Sequence, residues 1–134
     1  MSPIPPTGAI CLDSSAWIEI THAGPNAQTF AAVLTTGPPV IVSTISLYEI
    51  ARYTTRVAGE AAAEELLTFL RQHTIIPVTD TIAALAATLG ARHQLAMADA
   101  IIYATSQNQN ATLWTQDADF KNLPQVQYLP KSQP

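Results

Sequence analysis

Residues 95–120 read LAMADAIIYATSQNQNATLWTQDADF, and this stretch decides the fold. Its first half is an apolar run headed by Asp99, which predicts a buried helix over Ala98–Gln107. Its second half contains Ala111–Thr115, a short run rich in strand formers, and Asp117 follows that run closely. Carboxylates at the edges of buried segments lose water and need a counter-charge or hydrogen bonds. The stretch therefore predicts a helix, a strand and a polar site beside them.

The composition is that of one globular domain with few charges. The chain has 134 residues, of which 48% are hydrophobic and 12% are charged. This length suffices for a core of its own. The net charge of −4, with only six Lys and Arg, argues against a broad basic face for nucleic acid. A cation held by acidic side chains would still supply positive charge locally. The lone Cys11 is interpreted as a small buried hydrophobe.

Short apolar runs alternate with helical segments along the whole chain. The predicted strands are Ala9–Leu12, Val40–Val42, Thr74–Val78, Ala111–Thr115 and a last one near Val126–Leu129. Continuously apolar strands that alternate with helices indicate an α/β fold, with a parallel sheet covered by helices on both faces. Pro77 favours an edge position for the third strand, because proline cannot donate a hydrogen bond to a neighbour.

The chain is predicted to form a single domain over residues 9–130. Residues 1–8 are a proline-rich lead, and residues 131–134 are a short tail. The lead lacks the features of a signal peptide, and no apolar run reaches membrane-spanning length. We therefore expect a cytoplasmic protein that makes no membrane contact.

Half of the ten acidic residues lie beside apolar segments: Asp13, Glu49, Asp99, Asp117 and Asp119. Asp13, in a polar turn of residues 13–15, and Asp117 both follow strands, and sites in parallel sheets form outside the carboxyl ends of the strands. Two carboxylates ~4 Å apart repel by about 4 kcal/mol at an effective dielectric near 20, so a cluster needs compensation. Mg²⁺ or Mn²⁺ would provide it, since both prefer carboxylate and water ligands. One cysteine and three scattered histidines offer no zinc-binding pattern.

Four segments in order resemble the acidic motifs of the PIN domain, and within that family the VapC-type ribonuclease toxins of prokaryotic toxin–antitoxin pairs. These segments are LDSSAWI at 12–18, STISLYEI at 43–50, LAMADAII at 95–102 and TQDADF at 115–120. The resemblance covers about Ile10 to Leu129. It implies a three-layer α/β/α sandwich around a central, mainly parallel sheet of four to five short strands.

The resemblance also implies roles for individual residues in Mg²⁺- or Mn²⁺-dependent cleavage of RNA. The acids that would bind the metal and carry catalysis are Asp13, Glu49, Asp99 and Asp117. Asp119 would support the metal or its waters. The residues expected to contact the acids or the substrate are Ser14, Thr115 and Arg52.

The resemblance implies two protein partners, a second copy of the chain and a cognate antitoxin. The antitoxin would lay an apolar segment between the early helices and mask the nuclease. A helical surface with Phe30, Val33 and Leu34 is consistent with both contacts.

Simpler interpretations of the acids remain open at this point. Asp13, Asp117 and Asp119 could be ordinary turn or cap residues. Ser46 and Glu49 have the spacing of a capping box, and Glu49 could instead pair with Arg52 or Arg56.

Two further functions also remain open. The first is a PIN-like module that binds without catalysis. The second is a phosphoryl-transfer domain with an aspartate after its first strand. The Asp-x-Asp pattern typical of that second class is absent here, because position 15 is Ser.

Overall fold

The computed structural model describes residues 8–131. Of the predicted lead only Gly8, and of the predicted tail only Lys131, lie in this range; the other residues of both lie outside it. The strands are β1 Ala9–Leu12, β2 Val40–Ser43, β3 Thr74–Ile76, β4 Ala111–Thr115 and β5 Val126–Tyr128. The α-helices are α1 Ser14–Thr21, α2 Ala27–Val33, α3 Thr44–Ala58, α4 Glu60–Leu70, α5 Asp80–His93 and α6 Met97–Asn108. A 3₁₀ turn, Ala118–Phe120, lies between β4 and β5.

The five strands form one sheet in the order β3-β2-β1-β4-β5, and every neighbouring pair is parallel. This confirms the predicted α/β fold, the parallel sheet and the edge position of β3. The central strand β1 pairs with β2 on one side and with β4 on the other. The chain order reverses between β1 and β4, and ligands bind at such a point in parallel α/β sheets.

Alternate residues of the strands pack on opposite faces of the sheet. Leu12 and Val42 belong to one core, which they share with residues of α1, α2, α3 and α4. Cys11, Ile41 and Leu113 belong to a second core beneath α5 and α6. The side-chain period of two along each strand produces this division. The molecule is therefore a three-layer sandwich, as predicted.

Two of the boundaries that differ from the prediction do so for local reasons. The predicted polar turn at residues 13–15 is shorter, because Asp13 caps α1 and Ser14 already lies in its first turn. The third strand ends at Ile76 instead of Val78, because Pro77 follows and has no N–H for the ladder. Helix α3 begins after Ser43, whose hydroxyl caps it by accepting a hydrogen bond from the Ile45 N–H.

The predicted contact surface on α2 is wrong in its position. Phe30 is fully buried and Val33 nearly so, and both belong to the core beneath the first four helices. Neither side chain can meet a partner. The large apolar residues that α3 and α4 do expose include Val57 and Phe69. Within residues 8–131, no helix is long and apolar enough to cross a membrane.

Candidate active site

An acidic cleft of about 280 Å³ lies at the carboxyl end of β1 and β4. The residues that line it are Asp13, Ser14, Ser15, Ile18, Glu49, Asp99, Ile102 and Asp117. The four acids of the predicted motifs thus meet in one place, although up to 104 positions separate them in sequence. They come from the end of β1, the interior of α3, the first turn of α6 and the segment after β4.

Asp13 stands where β1 ends and α1 begins, and its carboxylate is almost completely buried. Its Oδ1 accepts hydrogen bonds from the Ala16 N–H at 3.0 Å and from the Ser15 hydroxyl at 2.8 Å. The first of these is the N-cap of α1, so the simple interpretation of Asp13 as a cap is correct. The same carboxylate also lines the cleft. Capping and a site role therefore coexist in this residue.

Thr115, the last residue of β4, joins two of the acids. Its hydroxyl donates to Oδ2 of Asp13 at 2.7 Å and accepts from the backbone N–H of Asp117 at 2.9 Å. Asp117 in turn caps the 3₁₀ turn, because its Oδ1 accepts from the Asp119 N–H at 2.9 Å. These bonds hold the segment after β4 against the end of β1.

Glu49 lies inside α3, which begins at Thr44. The capping-box interpretation is therefore wrong, because Ser43 caps this helix and Ser46 lies within it. The Ser14 hydroxyl donates to Oε1 of Glu49 at 2.7 Å and ties the start of α1 to α3. Glu49 is thereby directed into the cleft without any help from an arginine.

Asp99 lies in the first turn of α6, where the helix dipole favours a negative charge. It is half-buried, and its carboxylate approaches those of Asp117 and Asp119. One oxygen from each of these three residues lies within 4.8 Å of the others. Asp119 is exposed and lies at the rim of the cluster. Carboxylates this close together can share a divalent cation.

Burial and neighbouring charges raise the pKa values of two acids in the cleft, Asp13 and Asp99. Burial raises the pKa of Asp13 to about 6, although hydrogen bonds from Thr115, Ala16 and Ser15 oppose this shift. Burial, followed by the charges of Asp117, Asp13, Glu49 and Asp119, raises the pKa of Asp99 to about 7. Part of the cluster therefore holds protons near neutral pH unless positive charge enters the cleft.

The structure does not bring Arg52 to the carboxylates. Its guanidinium is exposed and donates to the Tyr48 hydroxyl at 2.7 Å, on the outer surface of α3. Arg56 lies over the ring of Tyr53, 5.4 Å from its centre. Neither arginine takes part in the site as the structure shows it. The pairing of Glu49 with Arg52 or Arg56, which the sequence left open, is therefore not formed; the two arginines make these contacts instead.

Sequence reasoning missed Ser15 as a site residue. Its hydroxyl donates to both carboxylate oxygens of Asp13, at 2.8 and 3.0 Å. The signal was available, because a serine two positions after an N-cap aspartate is placed to bond back to it. Ile18 and Ile102 form the apolar walls of the cleft. They gave no signal in the sequence, since they are ordinary members of apolar helix stripes.

The PIN domain family matches residues 10–126 of the chain. The chain belongs to the PIN domain family. The match spans almost the whole range over which the four sequence motifs were identified, and it contains every cleft residue. The all-parallel sheet with acids at the carboxyl ends of its strands is thus the PIN arrangement in this protein.

Solved structures similar to this PIN domain include toxin–antitoxin proteins from three bacteria. A toxin–antitoxin complex from Klebsiella pneumoniae is 25% identical, with a TM-score of 0.74 over 88% of this chain and 95% of that one. VapBC2 from Rickettsia felis, bound to a DNA fragment from its promoter, is 18% identical, with a TM-score of 0.73 over 90% and 98%.

The third is VapC20 from Mycobacterium tuberculosis, described as a toxin that cleaves the sarcin–ricin loop. It is 23% identical, with a TM-score of 0.67 over 83% of this chain and 92% of that one. At the identities of the last two, the likeness shows the PIN fold alone. No curated protein matches the chain in sequence.

Proposed function

We propose that this PIN domain is a Mg²⁺- or Mn²⁺-dependent endoribonuclease toxin, inhibited by a cognate antitoxin. The observation that carries the proposal is the convergence of Asp13, Glu49, Asp99 and Asp117 on one cleft. Family membership supports a nuclease, and the similar toxin–antitoxin structures support the toxin. The cleavage of the sarcin–ricin loop by VapC20 supports RNA as the substrate class.

The donor set fits a hard divalent cation. The polar side chains that line the cleft carry carboxylate and hydroxyl oxygens. A cation there would relieve the repulsion that, after burial, raises the pKa of Asp99. The residues that would hold the ion are Asp13, Glu49, Asp99 and Asp117, with Asp119 at the rim. When bound, such an ion neutralises charge on a phosphodiester and makes a water molecule more acidic.

The side chains around the acids hold them ready for that ion. Thr115 and Ser15 orient the Asp13 carboxylate, and Ser14 orients Glu49. Ile18 and Ile102 give the cleft apolar walls, beside which electrostatic interactions are stronger than in open water. A phosphodiester of RNA that lies across the cleft would thus meet fixed carboxylates and not flexible ones.

Cleavage of a mixed RNA pool by the purified chain tests the proposal. Mg²⁺ or Mn²⁺ should support cleavage, EDTA should abolish it, and Asp99→Asn should lose it. Asp80→Asn is the matched control, because Asp80 is an exposed acid in the first turn of a different helix, α5. Cleavage that survives EDTA or Asp99→Asn would contradict the proposal.

The antitoxin partner is supported by an apolar groove of about 410 Å³ between α1, α3 and α4. Val57, Leu66 and Phe69 are among its lining residues. We propose that an apolar segment of the antitoxin binds there. A candidate antitoxin should inhibit RNA cleavage by the wild-type chain and not by Val57→Asp, whereas Val78→Asp, at an exposed valine outside the groove, should remain inhibited. Equal inhibition of both variants would place the contact elsewhere.

The resemblance to VapC-type toxins further supports a cytoplasmic homodimer. The mass of one chain is 14.3 kDa, and light scattering at micromolar protein should give twice that mass. A monomer mass at that concentration would contradict the dimer and leave the nuclease proposal standing.

The alternative, a PIN-like binding module without catalysis, is disfavoured by the electrostatics of the cleft. Burial and the charges of four neighbouring acids raise the pKa of Asp99 to about 7, which weakens the fold at neutral pH, and a scaffold has no need of such a cluster. In a scaffold, Asp99→Asn would leave binding intact. The RNA cleavage experiment therefore separates the two functions.

A further inference from the structure

Asn26 precedes α2 but does not cap it with its side chain. Its carboxamide is buried and points elsewhere. The Nδ2 group donates to Oε1 of Gln116 at 3.0 Å and to the carbonyl of Pro130 at 3.1 Å. The Asn26 side chain thus bridges the segments that follow β4 and β5.

Glu19 completes a closed triangle of polar side chains. Its Oε2 accepts from the Asn26 N–H at 2.8 Å, and its Oε1 accepts from Nε2 of Gln116 at 3.4 Å. Gly24 has no side chain, and a Cβ there would collide with the Glu19 carboxylate. The glycine in the loop between α1 and α2 thus leaves room for the Glu19 carboxylate. We call the hydrogen-bonded set of Glu19, Asn26 and Gln116 the triangle.

Gln116 lies between two residues of the site, Thr115 and Asp117. The backbone at Asp117 is extended, with φ −86° and ψ 120°, and successive side chains along extended backbone point to opposite sides. Thr115 and Asp117 serve the cleft, whereas Gln116 is buried and bonds to the triangle. The segment that carries Asp117 is thus held from the side opposite to the metal-binding cleft.

We propose that Asn26 and Gln116 are positioning residues for the metal site. They hold the segment after β4 so that the Asp117 carboxylate stays at the distance from Asp99 that a divalent cation requires. This inference rests on the proposed metal-dependent function. Neither residue lines the cleft, so their effect reaches the cation through the segment that carries Thr115 and Asp117.

The test is a calorimetric titration of the purified chain with Mn²⁺, which needs no RNA substrate. Asn26→Ala leaves Oε1 of Gln116 and the Pro130 carbonyl without their donor, so the segment that carries Asp117 loosens. We expect Mn²⁺ affinity to fall by about tenfold, the lower end for residues that orient metal ligands. In RNA cleavage, the Mn²⁺ concentration for half-maximal rate should rise, while KM for RNA stays the same.

Ser106→Ala is the matched control for loss of a buried hydrogen bond. Its hydroxyl donates to the Ala111 carbonyl at 3.2 Å, at the opposite end of β4 from the site. This variant should lose thermal stability and keep its Mn²⁺ affinity. If Asn26→Ala does not fold, Gln116→Met serves in its place, because it keeps the volume and removes the amide.

A double-mutant cycle separates positioning from a general loss of stability. If Asn26 and Gln116 act through each other, the double variant Asn26→Ala/Gln116→Ala should lose no more Mn²⁺ affinity than the worse single variant. Wild-type affinity in Asn26→Ala, or additive losses in the cycle, would overturn the positioning role alone. Failure of the wild-type chain to bind Mn²⁺ would overturn it together with the proposed function.

Discussion

The hydroxyl of Thr115 donates a 2.7 Å hydrogen bond to Oδ2 of Asp13, across 102 positions of sequence. This bond links the ends of the two adjacent central strands, β4 and β1. It opposes the effect of burial on the pKa of Asp13, which is raised to about 6 even with this bond in place. The same hydroxyl accepts a hydrogen bond from the backbone N–H of Asp117. One threonine therefore sets both the charge state of one acid and the position of another.

Thr115→Val should weaken metal binding at neutral pH by about 10- to 100-fold. The substitution preserves shape but removes the donor to Asp13, so the pKa of Asp13 should rise further. The pH dependence of RNA cleavage should accordingly move to higher pH. Thr105→Val is the control, because Thr105 is equally buried and its hydroxyl bonds only within α6, to the Ile101 carbonyl. Identical pH profiles for both variants would contradict this role of Thr115.

Asp99→Asn should raise the thermal stability of the metal-free chain while reducing Mn²⁺ affinity by roughly 100-fold or more. The amide removes a carboxylate whose pKa is raised by burial and by four neighbouring acids, so the remaining acids repel less. Differential scanning calorimetry in EDTA, paired with the Mn²⁺ titration, measures both effects. Asp119→Asn should change both the thermal stability and the Mn²⁺ affinity less, because Asp119 is exposed at the rim. Lower stability of Asp99→Asn would show that repulsion is not the dominant effect.

Without metal, the fold should lose stability as pH rises. The folded-state pKa values of Asp13, about 6, and Asp99, about 7, lie above the ordinary value of 3.8. Their contribution is therefore complete below about pH 4 and is lost as pH rises through about 7. Unfolding in urea with EDTA, at about pH 5 and about pH 7.5, should show the higher free energy at the lower pH.

Under the proposed function, added Mg²⁺ should reverse this trend, because an ion that binds the ionised acids of the folded chain in preference to the unfolded chain stabilises the fold. The double variant Asp13→Asn/Asp99→Asn is the control and should have a flatter dependence on pH between about 5 and 7.5. A wild-type chain with the same free energy of unfolding at both pH values in EDTA would refute the coupling between these acids and stability.

Cys11 should resist alkylation in the native protein. It is fully buried in β1, and burial, reinforced by the charge of Asp13, raises the pKa of its thiol to about 12. The reactive thiolate is therefore both scarce and inaccessible. Mass spectrometry should find iodoacetamide on Cys11 only in denaturant. Rapid labelling of the native chain would show that β1 opens locally.

The sequence by itself determined the α/β class, the sheet covered on both faces and the identity of the acids in the motifs. Apolar strands between helices have few ways to bury both of their faces, so these features follow from local patterns.

Only the tertiary structure decided which partners the polar side chains take. Ser14 donates a hydrogen bond to Glu49, and Thr115 donates one to Asp13. The Asn26 side chain does not cap α2 but donates to Gln116. All three bonds form because the parallel strand order brings distant chain segments together. The raised pKa of Asp99 arises in the same way, from burial and from the charges of four acids that the fold places around it. Local sequence patterns specify helices and strands, whereas hydrogen bonds and electrostatic fields depend on distances that exist only after folding.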